Sequence, residues 1–388
     1  MKNLFWLSAF LIIAGCRQHE SPADLSKVPK INIGATTDSV NNINIKGTSS
    51  IVCLGQIPGA IIGSISKLYA GKSHYVIFDK VRNVIYIYDK SGRFLRQIGD
   101  SKKEQNPYGA ITDMVYYPET DHIEVYYIAK RMMVEYEITG KKLSERRSQF
   151  YFLSFYKAKE GYWIYGCFEE NKPRRFYSMD VNRYNLLLVS HDLRKIKAGF
   201  CKAMNFYDRT DGNDNFLTNS KGELFFKYGF SDVLYRIEGE KAYPYLRFDF
   251  GAAQLPYEYL SNISNNKEFQ SLLYEQDIKY NGLKYKFQLG DQLIYFGCSP
   301  YRIASQKQQT LVCFMDSLRY KSGNYPDTAF NPGLLSIPVA IQDKKIYYTV
   351  IPALLNEHQL ETFNRRYHTQ VKPDSNPLLL INDEENIF

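Results

Sequence analysis

His74-Tyr-Val-Ile-Phe-Asp79, Val84-Ile-Tyr-Ile-Tyr88 and Phe94-Leu-Arg-Gln-Ile98 are three short apolar runs, divided by Lys80-Val-Arg-Asn83 and Asp89-Lys-Ser-Gly92-Arg93. Runs rich in Tyr, Phe, Ile and Val, cut by Asn, Asp and Gly, read as antiparallel strands joined by tight turns. Gly92 suits a turn position with positive φ, which a side chain resists. The phrase then returns: Tyr88-Asp-Lys-Ser-Gly92-Arg-Phe-Leu95 matches Tyr136-Glu-Ile-Thr-Gly140-Lys-Lys-Leu143 in tyrosine, acid, hydroxyl, glycine, base and leucine. Val233-Leu-Tyr-Arg-Ile237, ahead of Gly239, echoes Val84 to Tyr88, and Tyr301-Arg-Ile303 echoes Tyr235-Arg-Ile237.

Self-similarity at a period of about 40 to 50 residues, with several strands per unit, is the signature of propeller blades. One blade cannot cover both of its faces, so blades stack into a closed ring. The divisions fall at 61–99, 111–149, 150–200, 215–251, 282–325 and 326 to the C-terminus, which predicts an all-β, six-bladed β-propeller. Two stretches break the strand pattern. Asn265 to Asp277, with an Asn cap and helical spacing of Phe269, Leu272 and Leu273, and Ala353 to Tyr367 are expected as short helical insertions. Ile51 to Ile57 is expected to add a strand to the last blade and close the ring. The competing architecture is a β-sandwich or two unrelated β domains.

Composition fits this reading. Aromatic residues make up 15%, with 33 Tyr and 24 Phe against 2 Trp. Tyr and Phe favour half-buried pleated surfaces, and a sugar-stacking or base-stacking surface is the second explanation. Hydrophobic residues at 44% and charged residues at 23% argue against global disorder. The net charge of +8 is spread through the chain as pairs such as Lys102-Lys103 and Arg146-Arg147, with no basic stripe of the kind that reads nucleic acid.

The N-terminus carries an export signal. Lys2 precedes the mostly apolar run Leu4 to Gly15, which as a helix would reach about 18 Å. That is well short of the ~30 Å hydrocarbon core. The run ends in Ile13-Ala-Gly-Cys16, which resembles the bacterial lipobox, in which small residues precede a cysteine that receives lipid. Residues 1–15 are therefore expected as the signal peptide, Cys16 as the lipidated first residue, 16–44 as a polar tether and 45–388 as the propeller domain. In the sorting rules that go with the resemblance, Arg17 in place of an aspartate points to the outer membrane, and the lack of a following acidic run to its periplasmic side.

As a whole the chain resembles the exported bacterial six-bladed β-propeller lipoproteins related to NHL-repeat proteins. The likeness rests on the lipobox, the blade from Tyr75-Val-Ile-Phe-Asp79 to Asp89-Lys-Ser-Gly92-Arg-Phe-Leu-Arg-Gln-Ile-Gly99, and Asn376-Pro-Leu-Leu-Leu380. Members often follow the first blade with a Gly-Pro-Gly-Glu-like turn, of which this chain keeps only Pro107 and Tyr108. The resemblance implies a fold and an address but no reaction.

Motifs for chemistry are missing: no Gly-x-Ser-x-Gly, P-loop or dinucleotide glycine pattern is present. The six histidines show no metal-ligand spacing. Asp208 to Asn215 offers oxygens, but the twelfth position counted from Asp211 is Gly222 rather than the acid an EF-hand needs. Cys53, Cys167, Cys201, Cys298 and Cys313 form no Cys-x-x-Cys pair and read mostly as buried thiols, with one pairing left open by an oxidising compartment. No catalytic residue, metal or cofactor is therefore nominated. The nominated ligand-binding residues are Trp163, Tyr165, Arg174, Arg175 and Tyr177, which mix aromatics with arginines as binding hot spots do, and Tyr228 and Arg302 from later blades. The leading expectation is a non-catalytic binding propeller at the bacterial envelope, contacting a glycan, peptide or envelope protein. The alternative is a polysaccharide lyase or hydrolase whose catalytic groups come from several blades.

Overall fold

A computed structural model describes residues 25–33, 50–99, 107–166, 184–202, 215–227, 231–254, 260–274, 281–300, 309–323 and 338–387. Along the chain, β1 (Lys30–Asn32) and β2 (Ser50–Cys53) precede the first complete blade, formed by β3 (Lys67–Ala70), β4 (His74–Asp79), β5 (Val84–Asp89) and β6 (Phe94–Ile98). Blade 2 is β7 (Asp113–Tyr117), β8 (His122–Tyr127), β9 (Met132–Glu137) and β10 (Lys142–Arg147). Blade 3 is β11 (Ser154–Ala158), β12 (Gly161–Tyr165), β13 (Tyr184–Val189) and β14 (Ile196–Lys202). Blade 4 is β15 (Phe216–Thr218), β16 (Leu224–Phe226), β17 (Val233–Glu238) and β18 (Lys241–Asp249), with β1 as a fifth strand. Blade 5 is β19 (Asn281–Leu289), β20 (Leu293–Pro300), β21 (Gln309–Phe314) and β22 (Arg319–Gly323). Blade 6 joins β23 (Ala340–Gln342), β24 (Lys345–Val350) and β25 (Leu378–Asp383) to β2.

The predicted six-bladed ring is the observed one, and its divisions fall where the repeats place them. The first strands of the blades touch one another around the axis and line the channel. Period-two alternation builds the core. From blade 1, Val76, Phe78, Ile85 and Ile87 turn towards blade 2, while Tyr75, Ile77, Val84, Tyr86 and Tyr88 turn towards blade 6. The inner strands thus bury both faces, and six apolar clusters fill the six seams. Aromatics fill these seams by stacking, as Tyr126 does on Phe152 and Phe287 on Phe296.

The repeated phrase marks the turn between the third and fourth strands. Asp89 accepts hydrogen bonds from the amides of Ser91 and Arg93 at 3.0 Å each, and the Gly92 amide donates to the Asp89 carbonyl. In blade 2, Glu137 accepts from the Thr139 hydroxyl and the Gly140 amide donates to the Glu137 carbonyl. Gly92 does a second job. Its φ is 87°, and a Cβ there would stand 2.2 Å from the carbonyl oxygen of Cys53, at the end of the closing strand. Gly92→Ala is expected to destabilise the fold more than Gly222→Ala, whose φ of 74° is equally demanding but whose surroundings are open. The shared backbone penalty is about 1–2 kcal/mol, and the collision adds about 1–3 kcal/mol; paired denaturant titrations read the difference.

Closure follows the expected route. β2 pairs antiparallel with β25, with Ser50 opposite Ile381 and Cys53 opposite Leu378, so both parts of the chain complete one blade. The segment read as a tether gives a surprise: β1 lies within it and pairs parallel with β18. Both helical insertions are present. Helix α1 (Asn266–Tyr274) starts where Asn265 accepts the Glu268 amide, and it buries Phe269. Helix α2 (Glu357–Tyr367) opens with a capping box between Asn356 and Gln359, and Leu360 and Phe363 seal the seam of blades 5 and 6. No helix among the described residues is long and apolar enough to cross a membrane.

Candidate binding face

The up-and-down order of each blade sorts its connections. Links between first and second strands and between third and fourth strands lie at one end of the ring; links between second and third strands and between blades lie at the other. At the first end the turns are short, as in 71–73, 90–93, 159–160 and 343–344. At the second end stand the long ones, 166–183, 203–215, 250–280, 301–308, 324–339 and 351–377. Short turns thus close one end and long connections the other, and connections carried on a sheet scaffold are where binding residues concentrate.

Arg174, Arg175 and Tyr177 fall in sequence between β12 and β13, Tyr228 between β16 and β17, and Arg302 between β20 and β21. All five, like Cys16, lie outside the described residues. Each nonetheless belongs to a second-to-third connection, the kind that starts and ends at the long-connection end. Trp163 and Tyr165 need correcting. Both are 0% exposed in the seam of blades 3 and 4, where Trp163 meets Phe200 and Tyr165 meets Phe226. They sit in the second of four strands, flanked by β11 and β13 and covered on both faces, so the rings pack the core and offer nothing to a ligand. At the same end Arg131 lies over the ring of Tyr151, 5.1 Å from its centroid, and Tyr151 is 44% exposed. Val81 and Ile61 are also exposed there.

Beneath this surface the polar groups at the starts of the first strands join blade to blade. Lys67 Nζ of blade 1 is 2.6 Å from Asp113 Oδ1 of blade 2, with both side chains buried. The other oxygen of Asp113 accepts the Phe155 amide of blade 3 at 3.1 Å. Ser154 donates to Asn215 Oδ1 at 3.1 Å, and Asn215 donates to the Lys227 carbonyl in blade 4. Asn215 is thus committed to the frame, while the remainder of the acidic loop, 208–214, lies outside the described residues. The ring is completed at the opposite end. The Ser220 amide of blade 4 donates to Asp291 of blade 5, and Glu384 of blade 6 accepts the amides of Asp291, Gln292 and Leu293. Gln342 of blade 6 accepts the Ala70 amide and donates to the Leu68 carbonyl of blade 1.

A second ionisable cluster lies in the seam of blades 2 and 3. Glu124 Oε1 accepts from Tyr162 at 2.5 Å, Arg146 at 2.8 Å and Lys157 at 3.3 Å, and Oε2 accepts from Tyr117 at 3.1 Å. Burial, reinforced by the Glu124 charge, pushes the Tyr162 and Tyr117 hydroxyls far above the ordinary phenol range. Burial alone would raise Glu135, but hydrogen bonds from Ser144 and His122, with the Lys157 charge nearby, hold it below the usual glutamate value. With four donors on its two oxygens Glu124 is a blade-to-blade tie, and its phenols keep their protons at neutral pH. Cys201 and Cys313 are buried as expected, whereas Cys53 is exposed. Among the described residues no group of three His, Cys, Asp or Glu side chains is arranged to hold a metal.

The architecture defines a six-bladed β-propeller with one built-up end. The chain belongs to the DUF4934 family, a domain of unknown function, whose model matches residues 28–383. It is similar in structure to a protein described as exported from Bacteroides fragilis NCTC 9343, with a TM-score of 0.68 at 14% identity, covering 92% of this chain and 99% of that one. A member of the DUF4221 family from Bacteroides vulgatus gives a TM-score of 0.47 at 12% identity over 89% of this chain and 100% of that one. Virginiamycin B lyase from Staphylococcus aureus gives 0.39 at 8% identity over 86% of this chain and 99% of that one. No curated protein sequence matches the chain.

Proposed function

We propose that this chain is a lipid-anchored envelope lipoprotein whose propeller is a non-catalytic binding module, meeting a glycan, peptide or envelope protein with its long-connection end. The observation that carries the reading is the division of labour between the two ends. Long connections gather at one end, and the buried polar groups beneath them, Lys67, Asp113, Ser154 and Asn215, are spent on joining blades. A closed ring that holds its connections at fixed points suits recognition, because a preorganised frame lowers the ordering cost when a partner docks. The lipobox at Cys16 supplies the address, with the periplasmic side of the outer membrane as its expected site.

Arg174 and Arg175 are the candidate contacts, since planar guanidinium groups give two-point contact to carboxylate or sulfate. The exposed Tyr151 on the same end adds aromatic area. Alanine at Arg174 and Arg175 together, or at Tyr151, is expected to weaken binding to envelope extracts or to glycans on an array by about 1 kcal/mol or more. Thermal melting should stay nearly unchanged, because substitutions in connecting segments usually change stability little. Unchanged binding in well-folded variants would remove these residues from the site, and turnover of an arrayed polysaccharide would overturn the non-catalytic reading.

A further inference from the structure

On blades 1, 2 and 3 the connections at the long-connection end are bonded one to the next in an arc. Asp79 accepts the amides of Gly63 and Arg82, which ties 54–66 to the turn 80–83. The Ile111 amide then donates to Asn83 Oδ1, the Ile128 amide to Thr112 Oγ1 and the Ser148 amide to the Arg131 carbonyl, so 107–112, 128–131 and 148–153 follow in order. We propose that this arc is a docking surface for an acidic protein segment that carries apolar side chains among its carboxylates. The inference rests on the reading of the long-connection end as a binding face and names the chemistry of its partner.

Charge is the first observation. The five described stretches of the arc hold Lys80, Arg82, Lys130 and Arg131 and no Asp or Glu. Asp79 and Asp113 beneath them are buried and bonded to amides. Residues 100–106, which fall outside the described residues, add no net charge, since Asp100 and Glu104 offset Lys102 and Lys103. At the other end of the same blades the signs are mixed, with Glu119, Asp121, Glu160 and Asp192 interspersed among lysines and arginines. A surface of one sign selects a partner of the other and speeds its approach.

Apolar exposure is the second. Val81, at 69%, is the most exposed large apolar side chain among the described residues, and Ile61 is 44% exposed. Gly63, two residues after Ile61, lies against Val81 and Arg82: a Cβ there would stand 3.4 Å from a side-chain carbon of each. Branched aliphatic side chains set among cations favour a protein segment over a glycan, because they offer a sugar neither a flat face nor a hydrogen bond.

Arg131 is the third. Asn83 and Arg131 each end a turn between second and third strands, and both are left-handed, with φ of 62° and 52°. Asparagine tolerates that conformation well, and Asn83 uses its side chain to hold the Ile111 amide. Arginine tolerates it less well, and its guanidinium lies instead over the Tyr151 ring, 5.1 Å from the centroid. The ring sets the cation in place and leaves its N–H edges for a two-point contact with a carboxylate.

An array of short peptides of graded net charge, each made with leucine and with serine at two positions, tests this on detergent-solubilised full-length protein. Acidic probes with leucine are expected to bind, added salt to weaken them, and serine in place of leucine to weaken them severalfold. Arg131→Asn with Lys130→Gln should reduce that binding about tenfold or more, and Val81→Ser severalfold. Thermal melting of Arg131→Asn should hold or rise, because asparagine relieves the left-handed strain; this separates a lost contact from a lost fold. Binding that ignores probe charge, or that persists in the well-folded double variant, overturns the proposal. Sulfated glycans or anionic lipid vesicles bound in preference to every acidic peptide overturn the protein partner. Envelope extracts separate this inference from the reading beneath it: wild type that binds them while refusing every acidic peptide keeps the binding face and loses the acidic partner, and wild type that binds nothing overturns both.

Discussion

Asp113→Ala is expected to lower the unfolding free energy by about 3–5 kcal/mol, the cost of leaving one partner of a buried ion pair alone. Asp113 is 0% exposed and holds three donors from three directions: Lys67 Nζ of blade 1 at 2.6 Å, its neighbour Met114's amide at 2.8 Å, and the Phe155 amide of blade 3 at 3.1 Å. Removing the carboxylate strands the Lys67 ammonium, itself 8% exposed, and unties blades 1, 2 and 3 at once. Lys67→Met with Asp113→Leu is expected to recover most of the loss, because a well-packed apolar pair replaces a buried ionic one at little cost. Denaturant titrations of Lys67→Met, Asp113→Leu and the double variant close the cycle, and a double variant as unstable as Asp113→Leu alone would argue that the carboxylate acts through the Phe155 amide rather than through lysine. The pH dependence has a sign. Burial raises the Asp113 carboxyl, against the opposing pull of Lys67 and of the Met114 and Phe155 amides. A native value above the ordinary one means that the folded state holds the proton more tightly than the unfolded chain. The contribution is therefore full below the usual carboxylate range and is lost as pH rises through the native value. Wild type should accordingly lose stability relative to Asp113→Asn across that window.

Cys16→Ala is expected to move the protein from the membrane fraction to the soluble fraction after cell breakage. The link from residue to effect is the acyl chains. Each buried CH₂ is worth about 0.8 kcal/mol, so a single chain binds marginally while the two or more chains of a lipidated cysteine hold firmly. The apolar run Leu4 to Gly15 is too short to replace them as a span. Export should persist, because the signal ahead of the cysteine is unchanged. Retention of Cys16→Ala in the membrane at the wild-type level would show that the run stays attached as an anchor.

The ring was legible before any coordinates because its cause is periodic. A strand that alternates as Tyr75 to Phe78 does, and a turn that needs an acid, a hydroxyl and a glycine as Asp89 to Gly92 does, must recur wherever the same blade is built. The six divisions, the two helices and the closing strand all follow from such local requirements. The polar clasps carried a fainter signal. Lys67, Asp113 and Ser154 each begin a first strand and Asn215 immediately precedes one, so aligning the repeats puts four polar residues within one position of a single column. Single stretches read one at a time did not reveal it. Glu124 had no signal at all. It alternates with Ile123 and Val125 like a solvent-facing residue, and only the blade stacked against it brings Lys157 and Tyr162 to its carboxylate.

The burial of Trp163 and Tyr165 is hidden from the sequence for the same reason. An aromatic in a strand is either a ligand platform or core, and local sequence describes both alike; what decides is whether a neighbouring blade covers that face. The polar segment after Cys16 was read as a tether because Ser, Pro, Lys and Asn dominate it, yet Lys30-Ile-Asn32 finds an open edge on β18 and a seam that accepts Ile31. Sequence by itself determined the number of blades and the turns between strands, because these depend on neighbours along the chain. Tertiary structure alone decided which charges are joined, which aromatics are buried and where the N-terminal segment docks, because these depend on surfaces that meet only when the ring closes.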